Sequence, residues 1–169
     1  MRPAVRVGWA AVALAGSIAA VSLSGSAGAE AKGSEIAAVR AATAKYHDVD
    51  VAAAPGSGYT LLGAPCFDSE AGGMGIHYTN GGNDGSLFDA QVEATEPDSL
   101  VYEVTTDGRK RLVAVEYIAA GQGADNLTVL GQPLHPLGTT GLYILHAWVW
   151  RTNPDGMFAD YNPKVGACP

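Results

Sequence analysis

Three residues in this chain could cooperate in chemistry although they lie far apart in sequence: His77 in Gly-Ile-His-Tyr, Glu116 in Val-Glu-Tyr and His146 in Leu-His-Ala-Trp. Each sits in a segment whose side chains alternate as in a β-strand. Two imidazoles and a carboxylate on neighbouring strands form a donor set for zinc, iron or copper that leaves coordination positions open. The spacing matches no compact zinc motif, and each residue also reads as an ordinary polar group on a half-exposed sheet. His135, in Gln-Pro-Leu-His-Pro, is a candidate fourth donor or ligand contact from a loop. Alternation places His77 with Gly75 and Thr79, away from Met74, Ile76 and Tyr78. By the same rule His146 shares a face with Ile144, Trp148 and Trp150, so the two tryptophans are candidates for a ligand-binding aromatic wall.

Other chemistries find little footing. Asp48 and Asp50 follow His47, but no EF-hand glycine and distal glutamate come after them. Gly-x-Ser-x-Gly is absent, and the glycine clusters near 72–75 and 81–85 lack the strand–loop–helix setting of phosphate or dinucleotide loops. The two cysteines, Cys66 and Cys168, are expected to bridge if the chain is exported. That bridge would tie the tail to the early part of the domain.

Export is what the first residues suggest. Arg2 and Arg6 precede an uncharged, mostly apolar run from Val7 to Leu23, and small residues end in Ala27-Gly28-Ala29. This is the layout of a signal peptide cleaved after Ala29. The domain division is then a signal peptide over 1–29 and a single secreted domain over 30–169, with no membrane span left after cleavage. The formal charge of the whole chain is −7, and it becomes more negative once Arg2 and Arg6 are removed. A basic field for nucleic acid or anionic lipid is excluded.

The elements that must position these residues follow from periodicity. Ser34 reads as an N-cap, with Ile36, Val39, Ala42 and Tyr46 at helical spacing over 35–46. Strands are expected over 59–62, 74–78, 100–106, 109–118 and 142–150, with 63–73 as a loop, 119–128 as a surface loop and a turn-rich tail from Arg151. Phe88 to Ala94 fits either a short helix or an extended segment. Asp107-Gly108 suits a type I′ hairpin turn that pairs Thr106 with Arg109. That register gives one core face carrying Leu100, Tyr102 and Val104 opposite Val115, Val113 and Arg111. The other face is mixed: Val101 and Glu103 opposite Ala114 and Leu112, with Glu116 and Ile118. A helix followed by mainly antiparallel strands is an α+β fold.

Several segments taken in order (Tyr-His-Asp-Val at 46–49, Met-Gly-Ile-His-Tyr at 74–78, Leu-Val-Ala-Val-Glu-Tyr at 112–117, Leu-His-Ala-Trp at 145–148, Asn-Pro-Asp-Gly-Met-Phe at 153–158) resemble a group of exported bacterial proteins of unassigned function. The resemblance covers most of the mature chain. It implies a single secreted domain and brings no reaction or ligand with it. Three expectations follow: a small-ligand or metal-binding domain, a metal-dependent hydrolase or oxygen-handling enzyme built on the His77, Glu116 and His146 set, or an interaction or stress protein without metal. The sequence gives no oligomeric state.

Overall fold

The computed structural model describes residues 24–80 and 89–168. Most of the proposed signal peptide, the 81–85 glycine loop and Phe88 lie outside the described residues. One long helix, α1 (Ser24–Thr43), leads through a 3-10 turn (Ala44–His47) into the short helix α2 (Val49–Ala53). The strands are β1 (Tyr59–Ser69), β2 (Gly72–Asn80), β3 (Ser99–Val104), β4 (Lys110–Ala120), β5 (Thr128–Val129), β6 (Gln132–Pro133), β7 (His135–Pro136) and β8 (Leu142–Ala147). Six of them form one antiparallel sheet in the order β1-β2-β3-β4-β8-β7, and β5 pairs with β6. The fold is a single α+β domain with the helix on one face of the sheet. No helix among the described residues is long and apolar enough to cross a membrane.

The helical stripe is where the spacing puts it, because Ile36, Val39 and Tyr46 are buried against the sheet. The N-terminus is not. Helix α1 is already formed at Ser24, and the Ser34 hydroxyl donates to the Ala31 carbonyl at 2.7 Å. A mid-helix serine bonds back to the preceding turn in this way. Asp48 does the capping instead, accepting from the Asp50 amide at 3.0 Å to start α2. The helical face of the sheet gathers Tyr59, Ile76, Tyr78, Leu100, Tyr102, Val115, Tyr117 and Leu145 into the main core.

Segment 63–73 is not a loop. β1 runs on through Cys66 to Ser69 and folds back as β2, with the extra residues absorbed as a bulge between Leu61 and Cys66. The β3–β4 turn also departs from expectation. The Gly108 amide donates to the Thr105 carbonyl and the Thr105 amide to the Arg109 carbonyl, both at 2.8 Å, which leaves a three-residue loop. Gly108 takes φ +79°, as a type I turn closed by a left-handed glycine requires. Asp107 favours this form by accepting from the Thr105 hydroxyl and the Arg109 side chain.

The register then slips by one between Val101 and Tyr102. Val101 faces Ala114, but Tyr102 faces Leu112 and Glu103 faces Arg111. Val113 is the bulged residue. It turns to the second face, Leu112 joins the main core, and Arg111 leaves the core face to bond Glu103. Beyond the bulge the expected pairs Leu100–Val115 and Val101–Ala114 stand.

Among the described residues, the tail beyond Arg151 forms no helix or named strand, and it lies across the second face. It is hung on side-chain and backbone bonds: Trp148 Nε1 to the Ala159 carbonyl at 2.6 Å, Asn153 Nδ2 to the Tyr161 carbonyl at 2.8 Å, and the Gly73 amide to the Val165 carbonyl at 3.2 Å. Gly73 permits this approach, since a Cβ there would stand 2.5 Å from the Gly166 carbonyl oxygen. Cys66 and Cys168 are disulfide-bonded across a separation of 102 residues.

Candidate functional site

The second face of the sheet carries a row of polar side chains. Thr79 of β2 is paired with Ser99 of β3, Ser99 with Glu116 of β4, and Glu116 with His146 of β8. His77 stands two residues from Thr79 on the same face of β2. All five are buried. A strand alternates its side chains, so antiparallel pairing in register sets one polar group beside the next across four strands.

Part of this row floors a pocket of about 260 Å3. His77, Thr79, Ser99 and Glu116 lie at its base, and Met74, Ile118, Leu142 and Ile144 supply apolar walls. Phe67 and Leu137, two of the few large apolar side chains left exposed, sit at the mouth. Tyr161, from the tail, closes one side. The Phe67 ring meets the His77 ring edge-on, with centroids 5.4 Å apart. No lysine or arginine among the described residues lines the pocket.

His77 Nε2 lies 3.4 Å from Glu116 Oε2. That is the polar contact of the Glu116 carboxyl among the described residues, and it is long for a hydrogen bond. Burial pushes the Glu116 carboxyl up to about 8, and the Asp160 and Asp98 charges push the same way. Asp98 is itself raised to about 6 by burial, partly offset by the Ile118 amide, which donates to it at 2.8 Å. Thr79 and Ser99 share a hydroxyl–hydroxyl hydrogen bond of 2.8 Å.

His146 lies behind the floor rather than in the lining. Its ring stands 5.9 Å from that of His77 and 4.6 Å from the indole of Trp148. Neither ring nitrogen has a hydrogen-bond partner among the described residues. Burial, and then His77, hold its pKa well below the ordinary histidine value. The structure therefore brings His77, Glu116 and His146 onto one face. Even so, no group of three or more His, Cys, Asp or Glu side chains among the described residues is placed to hold a metal ion.

The remaining candidates are scattered. His135, on β7, bonds Asp160 Oδ1 through Nε2 at 3.0 Å and does not line the pocket. Trp148 and Trp150 do not form one wall. β8 ends at Ala147, and a tight turn from the Val149 amide to the Ala147 carbonyl (2.8 Å) breaks the alternation. Trp150 consequently lies on the helical face, against His47 and bonded to Thr43 Oγ1 at 3.1 Å. Trp148 is 2% exposed and packs with Val101, Val113, Ala114 and Val165.

Sequence reasoning missed Ser99 and Asp98. Ser99 was within reach, because carrying the Leu100–Val115 pairing one step further sets it against Glu116. Tyr161 carried no such signal. The tail that delivers it has no periodicity, and its course is set by the disulfide and by asparagine side chains. No protein-family model matches the chain, and neither a curated protein nor a solved structure is found to be similar to it.

Proposed function

We propose that the domain is an exported binding protein for a compact, mainly apolar small molecule. The observation that carries this reading is the pocket: apolar walls and an apolar mouth converging on a few polar groups at the base, the usual composition of a small-ligand site. Its volume of about 260 Å3 falls just below the common range of roughly 300–1,000 Å3, which selects for a small ligand. Buried apolar contact supplies the affinity, and the floor fixes orientation.

Export is supported by the N-terminal pattern and by the Cys66–Cys168 bridge. Ile36 lies beyond the proposed cleavage point and is the first buried side chain among the described residues of α1. His77 and Glu116 are read as an orienting pair in the pocket and not as metal ligands.

The test is to fill the pocket. Compact apolar probes such as naphthalene are titrated into the disulfide-bonded protein, with binding followed by amide chemical shifts. Leu142→Trp should abolish binding while the protein keeps its melting cooperativity. Probes that shift no residue around Met74, Ile118 and Ile144 would sink the reading. One equivalent of tightly held zinc, iron or copper in the purified protein would replace it with the metal-centre reading.

A further inference from the structure

The pocket floor specifies more than a shape; this step rests on the small-ligand reading above. Thr79 and Ser99 bond each other, and one hydroxyl hydrogen suffices for that bond. With Thr79 as the donor, the Ser99 hydroxyl keeps its own hydrogen. Directly across from Ser99 stands Glu116, 5% exposed, whose one polar side-chain contact among the described residues is the long 3.4 Å approach to His77. A carboxyl group in an apolar pocket, with no lysine or arginine among the described lining residues, is held in its neutral form. The titratable groups that face it are His77 from β2, His146 from β8, Asp98 ahead of β3 and Asp160 from the tail; burial and the two aspartates oppose a carboxylate. A neutral carboxylic acid is a hydrogen-bond donor. Two donors, one hydroxyl and one carboxylic acid, thus lie side by side at the bottom of an otherwise apolar cavity.

We infer that the ligand is a neutral carbonyl compound (a ketone, aldehyde, ester or amide) whose oxygen seats against the Ser99–Glu116 pair while its hydrocarbon body fills the space between Met74, Ile118, Leu142 and Ile144. A carbonyl oxygen has two lone pairs and accepts both donors. A ligand carboxylate would meet Glu116 with no cation to offset it. A ligand ammonium would have to strip the proton from Glu116 and keep the resulting ion pair dehydrated. A hydrocarbon would leave both donors without acceptors.

The rigid adamantane cage separates these cases at nearly constant shape. The disulfide-bonded protein is titrated with 2-adamantanone, with methyleneadamantane (the same shape with carbon in place of the oxygen), with 2-adamantylamine and with adamantane-2-carboxylate. The ketone should bind at least tenfold more tightly than the methylene compound, and the carboxylate should not bind measurably. Glu116→Gln keeps a donor and should keep most of the preference. Glu116→Met removes it and should bring ketone and hydrocarbon to similar affinity, as Ser99→Ala should in part. Binding of methyleneadamantane to each variant reports that the pocket is intact, and Ser99→Ala carries the test if Glu116→Met does not fold. Equal binding of ketone and hydrocarbon by the parent protein would overturn the inference and leave the pocket reading standing. Tighter binding of the amine would overturn it in favour of a cationic ligand. Failure of all four compounds would remove the pocket reading and the inference together.

Discussion

The two faces of the central sheet bury polar atoms in opposite ways. On the helical face the polar side chains are mainly tyrosines, and three of their hydroxyls end on backbone carbonyls. Tyr59 donates to Pro97 at 2.8 Å, Tyr102 to Tyr46 at 2.6 Å and Tyr117 to Ala94 at 2.7 Å. Burial raises the pKa of all three, so they stay neutral and their bonds do not change with pH. On the second face the polar atoms are histidines, a carboxyl and hydroxyls: Thr79 and Ser99 bond each other, Glu116 makes a long 3.4 Å contact to His77, and the His146 nitrogens have no hydrogen-bond partner among the described residues. The first arrangement is what stability asks for. The second leaves hydrogen-bonding capacity unspent, and a binding site requires that.

The sharpest way to break this comparison is to damage each face separately. Tyr102→Ala removes a fully buried ring and its bond to Tyr46 from the helical face. It should cost about 4 kcal/mol, the usual scale for truncating a buried aromatic, seen as a large fall in the urea midpoint. Cys168→Ser frees the tail from the second face. A loop of 102 residues is expected to contribute roughly 4 kcal/mol through the entropy of the unfolded chain, with strain reducing it. The two losses differ in kind. Partial release of the tail should abolish ligand binding, because Tyr161 leaves the pocket, under conditions where helix and sheet persist by circular dichroism.

A smaller effect sharpens the contrast through pH. A Glu116 carboxyl that titrates near 8 in the folded protein, against an ordinary 4.5, keeps a proton that the unfolded chain has lost. Stability from this group is complete below about 4.5 and falls as pH rises through about 8. Asp98 acts in the same direction, but its slope ends near 6. His146 acts the other way: its folded pKa lies below the ordinary 6.5, so its contribution is complete above 6.5 and is lost as pH falls. Of these three groups, Glu116 alone still contributes a slope between pH 6.5 and 8, at most about 1.4 kcal/mol per pH unit. Glu116→Gln should flatten the urea-midpoint profile in that window. His146→Phe should flatten the acid limb, and a Tyr102→Phe control on the helical face should alter neither.

The helical face was legible in sequence because a burial stripe at helical spacing and alternation along Leu100, Tyr102 and Val115 record one apolar surface. The second face was legible only where alternation holds. It gave His77, Glu116 and His146 their common side, and it failed wherever a single residue resets the period. The bulge at Val113 moved Arg111 out of the core face, and the turn after Ala147 sent Trp150 to the other side. Neither position carries a proline or glycine to announce the break. The stretch 63–73 read as a loop for the converse reason. Its glycine, alanine and proline suggest irregular chain, whereas pairing with β2 carries it as a bulged edge strand.

That reset makes Trp148 and Trp150 the finest probe of the comparison, since one residue separates them and they pack against opposite faces. Trp150→Phe keeps most of the ring that packs on His47 and loses the bond to Thr43 Oγ1. A single side-chain hydrogen bond is worth about 1 kcal/mol, so the midpoint should move slightly and ligand affinity should not change. Trp148→Phe also loses one indole bond, to the Ala159 carbonyl, and should cost a similar amount of stability. Ala159, however, is two residues from Tyr161, and the ring of Trp148 backs His146. Ligand affinity should fall in this variant and not in the other. If the two substitutions weakened binding equally, the pocket would depend on the whole core and the division of labour between the faces would be lost. If only Trp148→Phe does so, the tail's attachment at Ala159 is what holds the binding face closed.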